Sequence, residues 1–396
     1  MSPIVSVRRH LSSRSIVAAG ALALTLALAG TASSSRFGPA KSSASPIKIG
    51  VILPYTGAFG LYGKPMEATI TARFARNSNK AGGHPIQLVF EDEATDAKTA
   101  VLKATKLITQ DKVSAVICCV NGASTLAVAP ILADRKIPQI GPIPNPAGLD
   151  KYSTGALAAP TAGHDAELLG RYVARKQKQK TAVIVASDFS YGHEVADAFE
   201  RGFEAFGGKV TKAMYPSLGT QDYGAYLTQV GNPDVVFAGV AGADAIAFIK
   251  QAKRFGLKPP IVGHGPLVTE LLLQAEGTAA VGITAAFYYS SQIDTAANKG
   301  FIAYMKSKNP NFVPSHFTAG AWNTGSVLID SINRMKGNVG DGQKFAKSIR
   351  RTKIKAPWGP MSFDPKTGNV RTSTYIYTVV DDGGTVEHKI RQRIAG

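Results

Sequence analysis

Sulfur is sparse in this chain. Two cysteines in 396 residues are too few for a disulfide-built scaffold. They are adjacent, Cys118 and Cys119, inside the apolar run VSAVICCV. Neighbouring strand residues face opposite ways, so an ordinary disulfide between them is geometrically poor. The pair reads as small buried hydrophobes, with a vicinal disulfide or a metal pair as alternatives. Acidic residues are also few: 27 Asp and Glu stand against 45 Lys and Arg, a formal charge of +18. That excess is not gathered into a nucleic-acid surface. The one tight cluster, RKQKQK at 175–180, has no interleaved aromatics and reads as a solvated helix end. Catalytic and nucleotide motifs are missing. The seven histidines form no HExxH, and neither GxSxG nor GxxxxGK[ST] occurs. The glycine-rich loop at 52–64, ILPYTGAFGLYGK, reads GxxGxxG rather than the GxGxxG that brings a backbone against pyrophosphate. These absences argue against an enzyme, a resident metal, an organic cofactor and a nucleotide ligand.

Only one long apolar run is present, IVAAGALALTLALAG at 16–30. It follows a basic VRRHLSSRS and precedes small residues. It reads as a secretory signal peptide over 1–32. A membrane anchor is the alternative, but the run falls short of the roughly 20 residues a spanning helix needs. In LALAGT, Thr31 stands where a lipid-bearing cysteine would be required. Residues 33–46, rich in Ser, Ala and Pro, read as a flexible linker. The remainder is expected to be exported, on the periplasmic or extracellular face of the membrane.

From Ile47 onward the chain alternates strand and helix. IKIGVIL, IQLVFED, VSAVICCV and IPQIGPI read as strands separated by helical segments. A second alternation runs through TAVIVAS, KVTKAMYP, PDVVFAGV and PPIVGHG. The expected fold is α/β, two doubly wound Rossmann-like halves with parallel sheets. Past Ser290 three helical segments precede a β-rich end. The acidic run EDEATD at 91–96 sits where a strand gives way to a helix, and Asp96 or Thr95 can cap that helix. Ser124 or Thr125 can cap the next.

In open α/β sheets a ligand sits beyond the carboxyl ends of the strands. Those ends read PYTGAFGLYG, VNGAST and PIPNP in the first half, and SDFSYG, GVAGAD and HGPL in the second. They bring Tyr55, Phe59, Tyr62 and Tyr191 beside helix N-termini, which suits a small solute with an apolar body and a carboxylate.

These stretches, with AGGHPIQLVFEDEATDAKTAV, AIAFIKQAKRFGL and SFDPKTGNV, resemble the leucine/isoleucine/valine-binding family of type I periplasmic solute-binding proteins of ABC importers. The likeness runs from about Ile47 to Ile390. It implies two lobes, 47–160 plus 287–370 and 161–286 plus 371–396. Three crossovers would join them near residues 158–161, 285–289 and 369–372, and hinge closure would trap one solute. It also implies a monomer that delivers to a permease and an ATPase; a sensor serving a membrane receptor is the alternative. By this resemblance the first-loop aromatic is Tyr62, with Tyr55 and Phe59 beside it. The carboxylate donors fall on Asn121, Gly122, Ala123 and Ser124, and the next loop supplies Ile143 and Asn145. Tyr191 closes from the second lobe. The family's tyrosine and ammonium-pairing acid fall near Ala241 and Gly265, neither of which can play the part, and Asp244 is the nearest substitute. A plain carboxylate on an aromatic or hydrophobic body is therefore expected ahead of a branched-chain amino acid, because a buried ammonium needs a partner.

Overall fold

The computed structural model describes residues 44–144 and 147–395. The expected signal peptide, most of the expected linker and Asn145 lie outside the described residues. The first half opens with β1 (Ile47–Leu53), α1 (Gly63–Ala75), β2 (Lys80–Ala81), β3 (His84–Asp92) and α2 (Ala97–Lys106). It continues with β4 (Ala115–Ile117), α3 (Gly122–Asp134), β5 (Gln139–Gly141) and β6 (Gly155–Leu157). The sheet order is β2-β3-β1-β4-β5-β6. Apart from the short antiparallel β2, all pairs are parallel. β1 lies inside the sheet and six of its seven residues are buried, as a parallel strand covered on both faces requires.

The second half runs α4 (Ala162–Arg175), β7 (Thr181–Ala186), α5 (Ser190–Glu204), β8 (Lys209–Met214), α6 (Gly224–Leu227) and β9 (Val235–Gly239). It goes on through α7 (Ala243–Arg254), β10 (Ile261–His264), α8 (Glu270–Glu276) and β11 (Thr284–Phe287). Then come α9 (Ala296–Lys308), α10 (His316–Arg334), α11 (Gly342–Arg350), β12 (Lys353–Ala356), β13 (Gly359–Phe363), β14 (Val370–Arg371), β15 (Thr374–Asp382) and β16 (Thr385–Ile394). The second sheet has the order β16-β15-β11-β10-β9-β7-β8, so the C-terminal hairpin extends it antiparallel to β11. β12, β13 and β14 form a small antiparallel sheet. The edge strand β8 is largely exposed and carries two lysines, which discourages pairing with another chain.

The doubly wound α/β architecture expected from the alternation is present. Several local readings are corrected. IPQIGPI yields only the three residues of β5, and DYGAYLTQV only the single turn of α6. β2 and β6 are too short to leave a periodic pattern. The cap of α3 is Asn121, whose side chain accepts the Ala123 N–H at 3.0 Å; Ser124 already lies in the first turn. Asp96 caps α2 as expected, accepting the Thr99 N–H at 2.7 Å. Cys118 and Cys119 are fully buried, as read, but they are joined as a vicinal disulfide across a cis peptide. They pack among Ile52, Ala100, Leu107 and Leu132. Among the described residues no helix is long and apolar enough to cross a membrane.

Candidate functional site

The acidic run shapes two loops at once. Asp92 Oδ1 accepts the N–H groups of Tyr55 (2.9 Å) and Ala94 (2.7 Å), and its Oδ2 accepts the Thr56 hydroxyl (2.8 Å). Thr95 Oγ1 accepts the Phe59 N–H at 3.1 Å and donates to the Thr56 carbonyl at 3.1 Å. Ala94 and Thr95 reach these positions with left-handed φ of 50° and 56°. Gly63 is required by a close approach: a Cβ there would lie 2.0 Å from the Pro54 carbonyl oxygen. The glycines at 57 and 63 thus serve the loop's own folding and its junction with residues 92–95.

Glu93 holds the second loop. Its Oε1 accepts the N–H groups of Val120 (2.9 Å) and Asn121 (3.2 Å). Burial pushes this carboxyl up to about 7, while those two donors and Ser124 pull the other way. Asn121 adds a bond from Nδ2 to the Thr95 carbonyl at 2.8 Å, tying the α3 cap to the first loop. Asn121→Ala removes the cap and this tie. It should cost about 2 kcal/mol, read as a lower urea midpoint at constant m.

The loops of the two sheets meet around one small apolar cavity. Phe59, Tyr62, Val120, Ile143 and Pro144 form part of its wall, with His316 and Phe317 from the start of α10. Phe189, Tyr191, Ala241, Pro266 and Phe287 form the rest. Tyr62 stacks on Phe317 with centroids 3.7 Å apart, and Phe59 faces Phe189 at 5.9 Å. The Gly242 N–H donates to the Tyr62 hydroxyl at 2.7 Å. Gly242 has φ of 64°, and a Cβ there would lie 2.5 Å from the Ala58 carbonyl oxygen. Glu194 on α5 accepts N–H groups from Ala147 (2.7 Å) and Gly163 (3.0 Å), which is a second tie between the loops. The Tyr191 hydroxyl is hydrogen-bonded to His264 Nδ1, and His264 meets Phe287 edge-on at 4.5 Å. Burial keeps the imidazoles neutral: His264 is pushed down to about 3 and His316 well below its ordinary value. Burial likewise pushes the Tyr62 and Tyr191 hydroxyls far up, so both stay protonated. The cavity leaves about 20 Å³ for the centres of water-sized spheres. That is room for one or two waters, so the walls must part before a ring can enter.

Five residues singled out in the sequence share this wall: Phe59, Tyr62, Ile143, Tyr191 and Ala241. Tyr55 lies off it, its ring under the Lys64 ammonium at 4.7 Å. Asn121, Gly122, Ala123 and Ser124, at the start of α3, are not part of the wall, which takes Val120 from this loop. Asp244 does not supply an acid to the wall. It is fully buried, with Oδ2 accepting from the Gly219 N–H at 2.9 Å, and burial pushes its carboxyl up to about 6. At Gly265 a Cβ would lie 2.3 Å from Phe287 Cγ, so the Phe287 ring fills the space an acid would need. Sequence reasoning passed over Phe189, Phe287, His316 and Phe317. Phe189 could have been found, since it stands two residues before Tyr191; the others come from elements far along the chain.

A cavity walled largely by aromatic side chains between the strand ends of two doubly wound sheets is the arrangement of a protein that binds a small solute. Residues 46–385 match the family described as Periplasmic binding protein, and the chain belongs to that family, within its type I branched-chain amino acid group. It is 27% identical over 358 residues to Leu/Ile/Val-binding protein homolog 6 of Brucella melitensis, covering 87% of this chain and 91% of that one. It is 28% identical over 351 residues to the leucine-, isoleucine-, valine-, threonine-, and alanine-binding protein of Pseudomonas aeruginosa, covering 86% and 90%. An ABC-transporter solute-binding protein from R. palustris, solved in complex with 4-hydroxybenzoate, superposes with a TM-score of 0.83. It shares 26% identity, over 88% of this chain and 97% of that one.

Proposed function

We propose that this chain is the extracytoplasmic receptor of an ABC importer and traps a small aromatic or hydrophobic carboxylate by hinge closure. The lobes would be 47–160 plus 287–370 and 161–286 plus 371–396, and the partners a permease and an ATPase. The observation that carries the ligand class is the wall itself. It has seven aromatic or imidazole side chains and, among the described residues, no acid. An amino acid's ammonium would be left unpaired there, at a cost of several kcal/mol. A carboxylate alone needs no acid partner. The first turn of α3, Gly122 to Ser124, starts two residues past Val120 on the wall, so its N–H groups without intrahelical acceptors would be reached once the walls part. Phe287 against Gly265 supports the same choice, as does the 4-hydroxybenzoate held by the 26%-identical relative. The names of the Brucella and Pseudomonas relatives make branched-chain amino acids the competing ligands.

A thermal-shift and calorimetric screen of aromatic acids and branched-chain amino acids tests this. Saturable stabilisation by the acids, and less by the amino acids, is the expected result. A response confined to the amino acids overturns the ligand class, and no response to any small solute overturns the receptor. Tyr191→Ala should weaken the acid by about 1–3 kcal/mol in calorimetry. Unchanged affinity would take Tyr191 out of the site.

A further inference from the structure

Away from the cavity, one face of α1 carries two guanidinium groups with no carboxylate to meet them. Arg73 and Arg76 lie one turn apart and lean on rings from α9 and α10. Arg73 Cζ is 5.3 Å from the Trp322 centroid, and Arg76 Cζ is 4.7 Å from Tyr304 and 5.7 Å from Trp322. The Lys308 ammonium adds a third charge 5.5 Å from the Tyr304 centroid. The stem of Arg73 lies down against α10 because residue 325 is glycine; a Cβ there would come within 2.9 Å of Arg73 Cγ. Arg73, Arg76 and Trp322 border a groove of about 600 Å³ that also presents Lys355 and Asn333; Tyr304 and Lys308 lie outside its wall.

Among the described residues, none of Arg73, Arg76, Lys308 and Lys355 makes an ion pair. The one carboxylate on the groove, Asp330, is engaged by Arg334 and by the Thr352 hydroxyl. Arg73 spends Nε on Ser326 Oγ at 2.7 Å, which leaves both terminal nitrogens for another acceptor. Residues 287–370, which supply the other side of the groove, are themselves basic, with twelve Lys and Arg against four Asp and Glu. Two like charges, one of them partly desolvated, are costly without an anion between them. Burial and the neighbouring Arg76 both push the Arg73 guanidinium down from its ordinary value.

We propose that this groove binds a phosphate group, gripped by the forks of Arg73 and Arg76 with Lys355 as a further cation. Guanidinium forks match the spacing of phosphate oxygens, and rings beneath them hold the forks in place. The site is separate from the solute cavity and does not depend on what that cavity holds. The phosphate can be free in solution or belong to a membrane lipid headgroup.

Calorimetry with inorganic phosphate, against chloride at equal ionic strength, tests the site on the intact protein. One saturable isotherm is expected, weakened at least about tenfold in Arg76→Gln and in Lys355→Gln. Arg76 and Lys355 are exposed, so folding is not at stake; Arg73→Lys, at the half-buried position, keeps the charge and loses the fork. Solute affinity at the cavity stays unchanged in all three. Co-sedimentation with vesicles of phosphatidylglycerol in phosphatidylcholine separates the sources. Retention lost in Arg76→Gln assigns a headgroup, and phosphate binding without retention assigns the free ion. A phosphate response no larger than chloride's, together with no vesicle retention, overturns the site. So does a response that Arg76→Gln leaves intact.

Discussion

Tyr62→Ala is expected to lower the stability of the protein by about 4 kcal/mol. Tyr62 is completely buried, and its ring stacks 3.7 Å from Phe317 while also packing against Phe59. Truncation leaves a void under two loops that carry the cavity wall. It also orphans the Gly242 N–H, which donates to the Tyr62 hydroxyl across the junction of the two sets of loops. Tyr62→Phe separates the two contributions. It retains the ring and loses only the bond, so about 1–2 kcal/mol should go. Chemical denaturation of both variants reads the difference. An alanine variant that melts with the wild type would mean that the ring is not packed as described. If the cavity holds an aromatic acid, the alanine variant also loses its retention, because the platform under the ligand and the tie between the loops disappear together.

The contrast between Tyr62 and Phe317 shows what was legible in the sequence. Tyr62, Phe59 and Tyr191 follow strands of recognisable period, so the rule that ligands gather at strand ends found them. Phe317 and His316 begin a buried helix more than 250 residues beyond the first loop, and nothing local marks that helix end as part of the same wall. Phe287 ends a four-residue strand and enters the sequence reading only as part of the crossover at 285–289. Gly265 was legible only as a missing acid; its physical reason appears once the Phe287 ring is seen to occupy the place of a side chain. The alternation that gave two parallel sheets was visible because each strand is a short apolar run bounded by turn residues. The three-residue strands β5 and β6 were blurred or lost, since so few residues carry no period. The acidic run 91–96 was read as a helix cap. Its larger role, a clamp on two loops, depends on partners 26 to 39 residues away in sequence.

That clamp makes a second strong prediction. Glu93→Ala leaves the Val120 and Asn121 N–H groups buried without an acceptor, and should cost about 3 kcal/mol at pH 5. Glu93→Gln keeps an oxygen for both donors and should cost far less. The two variants also differ from the wild type in their response to pH. Burial holds the folded-state pKa of Glu93 at about 7, above the ordinary glutamate value near 4.5. Between those values the folded protein binds the proton more tightly than the unfolded chain does. The stability contributed by the protonated group is therefore complete below about pH 4.5 and is lost as pH rises through 7, a change of about 3 kcal/mol. Asp165 and Asp244, pushed up by burial to about 6, add to the same downward slope. The carboxylates lowered by their hydrogen bonds, such as Asp92, act in the opposite sense and only at more acid pH. The buried neutral imidazoles of His264 and His316 act in the opposite sense between pH 5 and about 6.5, so the reading is the difference between two proteins. Urea titrations at pH 5, 6, 7 and 8 should show Glu93→Gln gaining on the wild type as pH rises. An identical slope in the two proteins would mean that Glu93 is ionised throughout, and that the α3 loop is held by a charge and not by a neutral acid. Because this group anchors the loop at Val120, one wall of the cavity, acidification toward pH 5 should also make that wall more rigid. Slower amide exchange at Val120 and Asn121 at low pH, after correction for the intrinsic rate, is the corresponding local readout.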